Sequence, residues 1–128
     1  MDLGAMLAGK RVLVTGASSG LGENFARMAA SCKAKVVIAA RRKARLDALA
    51  GELSKLGSPQ VSVIEMDVAS EQSIDDAFAE IDASGDILDV VVNNAGVSGE
   101  GMSLTQPTKD FDSLMAINVR GVWLVAVR

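Results

Sequence analysis

The sequence predicts an α/β fold in which helices cover both faces of a parallel sheet. Short apolar segments typical of buried strands alternate along the chain with segments of helical periodicity. Right-handed crossovers between such elements place the helices on both sides of the sheet. We therefore expect one domain over residues 1–128, a doubly wound sheet of order 3-2-1-4 that ends after the fourth strand and its following helix.

The first half of the chain predicts two strands and two helices. The strands are expected over residues 11–15 and 36–39. A helix begins near Leu21 after the first strand, and a second helix ends near Gly57, a typical C-cap residue. The apolar positions expected to face the core are Leu21, Phe25, Met28, Ala29 and Cys32 in the first helix and Leu46, Leu49, Leu53 and Leu56 in the second.

The second half repeats this alternation. A third strand is expected over residues 61–66, followed by a helix with Ser70 as its N-cap. The continuous apolar run over residues 87–92 is typical of a strand covered on both faces, and a last helix begins near Lys109. The apolar positions of these helices are Ile74, Ala77, Phe78 and Ile81, then Phe111, Leu114, Met115, Ile117, Val122 and Val125.

Composition narrows the class of function. Of the 128 residues, 49% are hydrophobic and the formal net charge is −3, which is typical of a soluble globular protein and offers no basic surface for nucleic acid. No apolar stretch reaches about 18 residues, so we expect no membrane span. The single cysteine excludes an internal disulfide and fits a cytoplasmic protein; no metal site is predicted. Because His and Tyr are absent, this chain alone cannot run a mechanism that needs an imidazole or a phenol.

A glycine-rich segment directly follows the first predicted strand. Gly16 permits a tight turn, Gly20 leaves room for a ligand close to the backbone, and Gly22 lets the next helix pack against the sheet. The helix N-terminus then offers unpaired N–H groups and a partial positive charge to a diphosphate. The pattern is typical of dinucleotide sites; phosphate loops, methyltransferase sites and simple turns are the alternatives. Its candidate binding residues are Gly16, Ser18, Ser19, Gly20, Leu21 and Gly22.

Two arginines follow the second predicted strand, and no acidic residue is present there. An acidic residue at this place would accept hydrogen bonds from the hydroxyls of an adenosine ribose. A guanidinium offers a fork of donors to a phosphate, and such a charge-assisted contact contributes about 1.5–3 kcal/mol. Arg41, and to a lesser degree Arg42, therefore favours NADP(H) over NAD(H) by roughly one to two decades of affinity. The alternative is that both side chains only solvate a helix start, although a cation is electrostatically unfavourable there.

Polar and small residues follow the third and fourth predicted strands. Asp67 could accept the amino group of an adenine while Val68 lies against the ring; a turn aspartate is the alternative. Asn94, Ala95 and Gly96 lie at the carboxyl edge of the sheet, where open α/β sheets bind ligands. The two small residues would let a ribose approach, although as turn residues alone they would be unremarkable. Amide side chains in this segment could also tie neighbouring strand ends together.

Together these motifs resemble the short-chain dehydrogenase/reductase family, which has a Rossmann-type sheet. The resemblance covers the chain from about residue 9 to residue 128. It implies an NAD(P)-dependent oxidoreductase acting on alcohols or carbonyls, and Ala40-Arg41 is similar to the NADP-preferring subset. The segments that carry the resemblance are 15–22, 67–68, 93–96 and 117–121.

The resemblance implies a role for each candidate residue. The glycine segment would hold the diphosphate, Arg41 the 2′-phosphate, and Asp67 with Val68 the adenine. Residues 94–96 would lie beside the ribose. Asn118 is similar to the family's catalytic asparagine, which supports a water in the proton relay. The implied cofactor is NADP(H), with NAD(H) as the second choice.

The chain also departs from the family. A Ser and a Tyr-x-x-x-Lys helix, which supply the general acid/base and bind the nicotinamide ribose, lie downstream of that asparagine and have no counterpart in these 128 residues. We therefore expect the cofactor-binding half of an oxidoreductase, inactive alone. A non-catalytic NADP(H)-binding module, or one half of a split protein completed by a partner chain, is the alternative. An unpaired fourth-strand edge and the expected exposure of Val122, Trp123 and Val125 on the last helix favour a homo-oligomer joined through that edge, that helix or both.

Overall fold

The computed structural model describes residues 2–101 and 103–128, in which helices alternate with four strands. The strands are β1 Arg11–Thr15, β2 Lys35–Ala40, β3 Val61–Glu65 and β4 Val90–Val92. The α-helices are α1 Leu3–Leu7, α2 Gly20–Ser31, α3 Lys43–Leu56, α4 Glu71–Ala83, α5 Thr108–Met115 and α6 Val122–Val127, with a π-helix, Ala116–Gly121, between the last two.

The four strands form one parallel sheet in the order β3-β2-β1-β4, which confirms the predicted doubly wound arrangement. In this sheet Val14 of β1 pairs with Ile38 of β2 on one side and with Val92 of β4 on the other. Because the strands are parallel, their carboxyl ends meet at one edge. The turns that leave these ends carry the candidate site residues.

Helices cover both faces of the sheet. On one face α2 and α3 pack against Val12 and Val14 of β1, and on the other α4 and α6 pack against Leu13. Every residue of β1 is buried, as expected for a central parallel strand. The predicted core positions that are buried in α3 and α4 are Leu46, Leu49, Leu53, Ile74, Ala77, Phe78 and Ile81, whereas Leu56 is exposed.

Helix α2 buries Ala29 as expected, but its three large residues that were expected to face the core are exposed. Leu21, Phe25 and Met28 are exposed by 66%, 36% and 51%. The cause is the close approach of the helix to the turn after β1, because a Cβ at Gly22 would lie 2.2 Å from the carbonyl oxygen of Gly16. Only small side chains fit under a helix at this distance. The buried residues of α2 are Gly22, Ala26, Ala29 and Ala30.

Strand β4 is shorter and more open than the apolar run at residues 87–92 predicts. It covers only Val90–Val92, and Ile87 is 88% exposed. Within the described residues β4 pairs with β1 alone, so its other edge is open. Val90 and Val92 pack against the core on one face, but Val91 on the other face is 41% exposed, so the prediction of a strand covered on both faces is wrong for this chain.

Two features of the helices go beyond the sequence prediction. Helix α1 is unexpected, and the Asp2 carboxylate caps it by accepting a hydrogen bond from the amide of Gly4 at 3.0 Å. The last helical segment changes to π-helical geometry between α5 and α6, and its Phe111 and Met115 are exposed. Trp123 is exposed as expected, but Val122 is half-buried and Val125 is buried, so the expected exposure of Val125 is wrong. Among residues 2–101 and 103–128, the helices are all too short or too polar to cross a membrane.

Candidate cofactor site

A cleft of about 340 Å³ opens at the carboxyl edge of the sheet. The turn after β1, the ends of β2 and β3 and the segment after β4 form its walls. Of the predicted site residues, Gly22 and Asn118 do not line it. Those that do are Gly16, Ser18, Ser19, Gly20, Leu21, Arg41, Arg42, Asp67, Val68, Asn94, Ala95 and Gly96.

The three glycines of the turn after β1 have three different surroundings. Gly16 has a φ of +63°, and a Cβ there would lie 2.8 Å from the Cα of Ala95. Gly20 has a φ of +58°, and a Cβ there would meet no atom within 4 Å. The missing side chain of Gly16 therefore lets the turn after β1 touch the segment after β4, and that of Gly22 lets α2 lie close to the turn after β1. Gly20 leaves an open face for a ligand.

The N-terminus of α2 faces this cleft without a side-chain cap. Ser19 is the N-cap residue, but its hydroxyl makes no capping hydrogen bond. The first amides of a helix have no partner within the helix. Such amides and the helix dipole can attract an anion, and Gly20 and Leu21 of this first turn line the cleft.

A buried hydroxyl joins the ends of β1 and β4. The Oγ1 of Thr15 accepts hydrogen bonds from the amides of Asn94 and Ala95, both at 3.0 Å. The Nδ2 of Asn94 donates to the carbonyl oxygens of Thr15 and Gly16 at 3.1 and 3.3 Å. These bonds hold the glycine turn and the 94–96 segment together as one rigid corner of the cleft.

The positive charge of the cleft comes from the start of α3. Arg42 is the N-cap residue of α3, and its Nη2 lies 3.5 Å from the hydroxyl oxygen of Ser18. Arg41 lines the same wall, and the first turn of α3 contains no acidic residue. Arg41 and Arg42 are both exposed and line the cleft beside the glycine turn. The first turn of α3 has no carboxylate to offset their charge.

The turn after β3 supplies the acidic group of the cleft. Asp67 Oδ1 accepts a hydrogen bond from the amide of Ala69 at 3.0 Å, and the Asp67 amide donates to the hydroxyl of Ser73 at 2.9 Å. The turn is thus fixed against the start of α4, whose N-cap Ser70 accepts from the amide of Ser73 as predicted. Val68 follows with its side chain almost fully buried against the cleft wall.

Asn118 lies behind the cleft rather than in it. Its Oδ1 accepts from the amide of Val97 at 2.8 Å, and its Nδ2 donates to the Val97 carbonyl at 2.6 Å. A Cβ on Gly96 would lie 3.3 Å from the same Oδ1. The asparagine therefore holds the wall formed by residues 96–97.

Sequence reasoning missed part of the cleft lining. Thr15 is recognisable in hindsight because it directly precedes the first glycine, where a buried hydroxyl can reach the neighbouring strand end. The other residues carry no chemical signal, since apolar side chains at strand ends and in helices are common in any core. The unpredicted lining residues are Thr15, Ala39, Ala40, Met66, Val97 and Ile117.

Comparison with known proteins gives a consistent result. The family model of the short chain dehydrogenase matches residues 10–128. The 3-oxoacyl-[acyl-carrier-protein] reductase of Aquifex aeolicus is 34% identical over 119 residues, which are 93% of this chain and 48% of that protein. The chain thus spans about half the length of the curated relatives it matches.

Two solved structures are similar over most of the chain. One, 3-ketoacyl-(acyl-carrier-protein) reductase from Brucella melitensis complexed with NADH, has a TM-score of 0.86 and 34% identity over 94% of this chain and 48% of that one. The other, a metagenomic short-chain oxidoreductase in complex with NADP, has a TM-score of 0.87 and 32% identity over 94% of this chain and 55% of that one. With its 3-2-1-4 sheet and the family match, this chain belongs to the short chain dehydrogenase family of oxidoreductases.

Proposed function

We propose that this chain binds NADP(H) and is the cofactor-binding half of an oxidoreductase that acts on an alcohol or carbonyl group. The observation that carries the proposal is that one cleft joins an uncapped helix N-terminus to two arginines. A diphosphate fits the first feature and a 2′-phosphate the second. Bound NADPH supplies the hydride, and the residues of this chain bind and orient it.

The glycine turn is proposed to hold the diphosphate. The open face at Gly20 allows the oxygens to reach main-chain amides, and the dipole of α2 adds a favourable charge. Gly16 and Gly22 act behind the ligand, because their missing side chains let the corner close. Ser18 and Ser19 add hydroxyl donors at the rim.

The other walls are proposed to receive the two nucleosides. Asp67 and Val68 would frame the adenine, and residues 94–96 would lie beside a ribose. Asn118 is the proposed catalytic asparagine of the complete protein. In this chain its side chain is bonded to Val97, so here it acts as a positioning residue for that wall.

We expect binding without turnover for the 128-residue chain. The sequence contains no Tyr and no His, so it lacks a phenol or imidazole for proton transfer to the substrate oxygen. The absence of these two groups from the 128 residues favours a second candidate: a binding module or one half of a split protein completed by a partner chain.

The test is a calorimetric titration of the chain with NADPH and NADH. Arg41→Ala and Arg42→Ala should weaken NADPH binding by roughly one to two decades in total while leaving NADH binding within about twofold. Arg45→Ala is the matched control, because Arg45 is an exposed arginine of α3 that does not line the cleft.

Two results would overturn the proposal. If the chain gives no heat of binding at about millimolar NADPH, the proposal of a dinucleotide site is wrong. If NADPH and NADH bind equally tightly and neither arginine substitution changes this, the proposals of a 2′-phosphate site and of a preference for NADP(H) are wrong.

A homo-oligomer is also proposed. Four exposed apolar residues follow one another at intervals of four along α5, the π-helix and α6, and we call them the α5–α6 stripe. Such a patch, together with the open edge of β4, favours association with a second copy. The stripe consists of Phe111, Met115, Val119 and Trp123.

A further inference from the structure

The last residue of the π-helix is a glycine whose backbone conformation does not require one. Gly121 has a φ of −61° and a ψ of −44°, which any residue adopts in a helix. It is buried and does not line the cleft. Its lack of a side chain therefore needs an explanation from its surroundings.

That explanation is the turn after β3. A Cβ on Gly121 would lie 2.6 Å from the carbonyl oxygen of Val68 and 3.1 Å from the Val68 Cβ, both well inside the 3.4 Å of ordinary contact. The backbone of the π-helix thus lies directly against the back of Val68. On its other side Val68 lines the cleft.

The π-helix is held in this place from two directions. Asn118 is bonded to both backbone groups of Val97, and the Nδ2 of Asn93 donates to the Val122 carbonyl at 2.8 Å. On the side of α4, Arg120 pairs with Glu71. The Val68 turn is hydrogen-bonded to α4 on one side, but its other side is the open cleft, so a methyl group at position 121 would be accommodated by a shift of Val68 towards the cleft.

We propose that Gly121 is a positioning residue that sets the depth of the cleft at Val68, and so the fit of the adenine. The inference rests on the proposed function. An added methyl would push Val68 into the space of the ring. The diphosphate turn after β1 is held by Thr15 and Asn94, neither of which supplies one of the three atoms nearest to a Cβ at position 121, so this turn should be unaffected.

The experiment measures the two binding functions separately, by NMR titration of the chain with 2′,5′-ADP and with inorganic pyrophosphate. In Gly121→Ala we expect the Kd for 2′,5′-ADP to rise by at least about tenfold and the Kd for pyrophosphate to stay within about twofold. Partial unfolding lowers the fraction of molecules that can bind, and it does so equally for both probes. The ratio of the Kd for 2′,5′-ADP to the Kd for pyrophosphate therefore distinguishes positioning from lost stability.

Gly51→Ala is the matched control. Gly51 lies in α3, and a Cβ there meets no atom within 4 Å, so both Kd values should match those of the unsubstituted chain. A folded Gly121→Ala protein that binds 2′,5′-ADP as tightly as this control would overturn the inference and leave the proposed function intact. An unsubstituted chain that binds neither probe would overturn the proposed function itself.

A second measurement applies if Gly121→Ala does not fold. In the unsubstituted chain, 2′,5′-ADP should shift the amide resonance of Gly121, which the ligand does not touch, and pyrophosphate should not. An unchanged Gly121 resonance at saturating 2′,5′-ADP would mean that the contact through Val68 does not respond to the adenine, and the inference would be wrong.

Discussion

At the scale of single residues, one hydroxyl has more structural consequence than its size indicates. Thr15 is 1% exposed, and its Oγ1 is the acceptor for two amides of the segment after β4. Amides left without an acceptor in a partly buried corner are costly, because the lost bonds to water are not replaced.

Thr15→Val should therefore lower the free energy of unfolding by about 1–3 kcal/mol, since it keeps the shape of the side chain and removes the acceptor. It should also weaken NADPH binding, because residues 94–96 lose their link to the glycine turn. Urea unfolding and a cofactor titration measure the two effects. Thr15→Ser keeps the hydroxyl, and a loss of NADPH affinity as large as that of Thr15→Val would contradict the explanation.

The opposite end of the sheet contains a carboxylate with an altered pKa. The amide of Arg11 donates to Asp89 at 2.8 Å and the Lys10 ammonium donates at 3.1 Å, and these contacts lower the pKa of Asp89 below its ordinary 3.8. Because the folded-state pKa is the lower one, the contribution to stability is complete above the unfolded-state value. It is lost as the pH falls through the folded-state pKa.

Asp89→Asn should accordingly reduce the loss of stability between neutral pH and about pH 2, because the variant has no charge to titrate at this position. Urea midpoints across that range test the prediction. Asp82→Asn is a suitable control, because Asp82 is exposed and makes no ion pair among residues 2–101 and 103–128. Identical acid profiles for Asp89→Asn and the unsubstituted chain would contradict it.

At the scale of elements, close approach decides which face of α2 is buried. The hydrophobic effect favours burial of Leu21, Phe25 and Met28, but the glycine turn brings the helix too near to the sheet for large side chains. Small residues fill the narrow space instead, and interiors tolerate little added volume. The large side chains consequently lie on the outer surface of the helix.

Ala26→Leu should destabilise the chain by about 1–3 kcal/mol, because Ala26 is fully buried on the sheet-facing side of α2 and the added carbons have no space. Met28→Ala should change the free energy of unfolding by less than about 0.5 kcal/mol, because Met28 is half exposed. Denaturant unfolding of both variants provides the comparison. If Met28→Ala loses more free energy of unfolding than Ala26→Leu, the buried face is the one expected from periodicity and the explanation is wrong.

Sequence patterns identified most elements but not their limits. The α4 face and the N-cap at Ser70 follow from local spacing, and the structure confirms both. Strand β4 covers only Val90–Val92 and has one paired neighbour among the described residues, and the π-helix ends where Gly121 packs against Val68. Neither of these is encoded by neighbours in sequence.

At the scale of the whole molecule, the α5–α6 stripe is an exposed apolar surface that a second copy could cover. Helix α6, which carries Trp123 of the stripe, packs on one face of the sheet. Helix α1 contacts the core of the other face through Leu7, and its Met6 is exposed outside the stripe. A large aromatic residue in a patch of this kind is a frequent centre of binding energy.

Trp123→Glu should shift the chain towards monomer, because a charge would be desolvated in a second-copy interface. Sedimentation velocity at about tens of micromolar measures this shift. Met6→Glu adds the same charge outside the stripe and should leave the distribution unchanged. A monodisperse monomer before any substitution would contradict the proposed homo-oligomer. The cytoplasmic location stays a prediction.

The sequence by itself determined the class of fold, the strand order and most of the candidate site. Alternating periodicity specifies parallel strands and crossover helices, and parallel strands bring residues 15–22, 41–42, 67–68 and 94–96 to one edge. Only the tertiary structure decided the buried face of α2, the link at Thr15 and the contact of Gly121 with Val68. The reason is that these depend on how closely two backbones approach each other, which a local pattern does not contain.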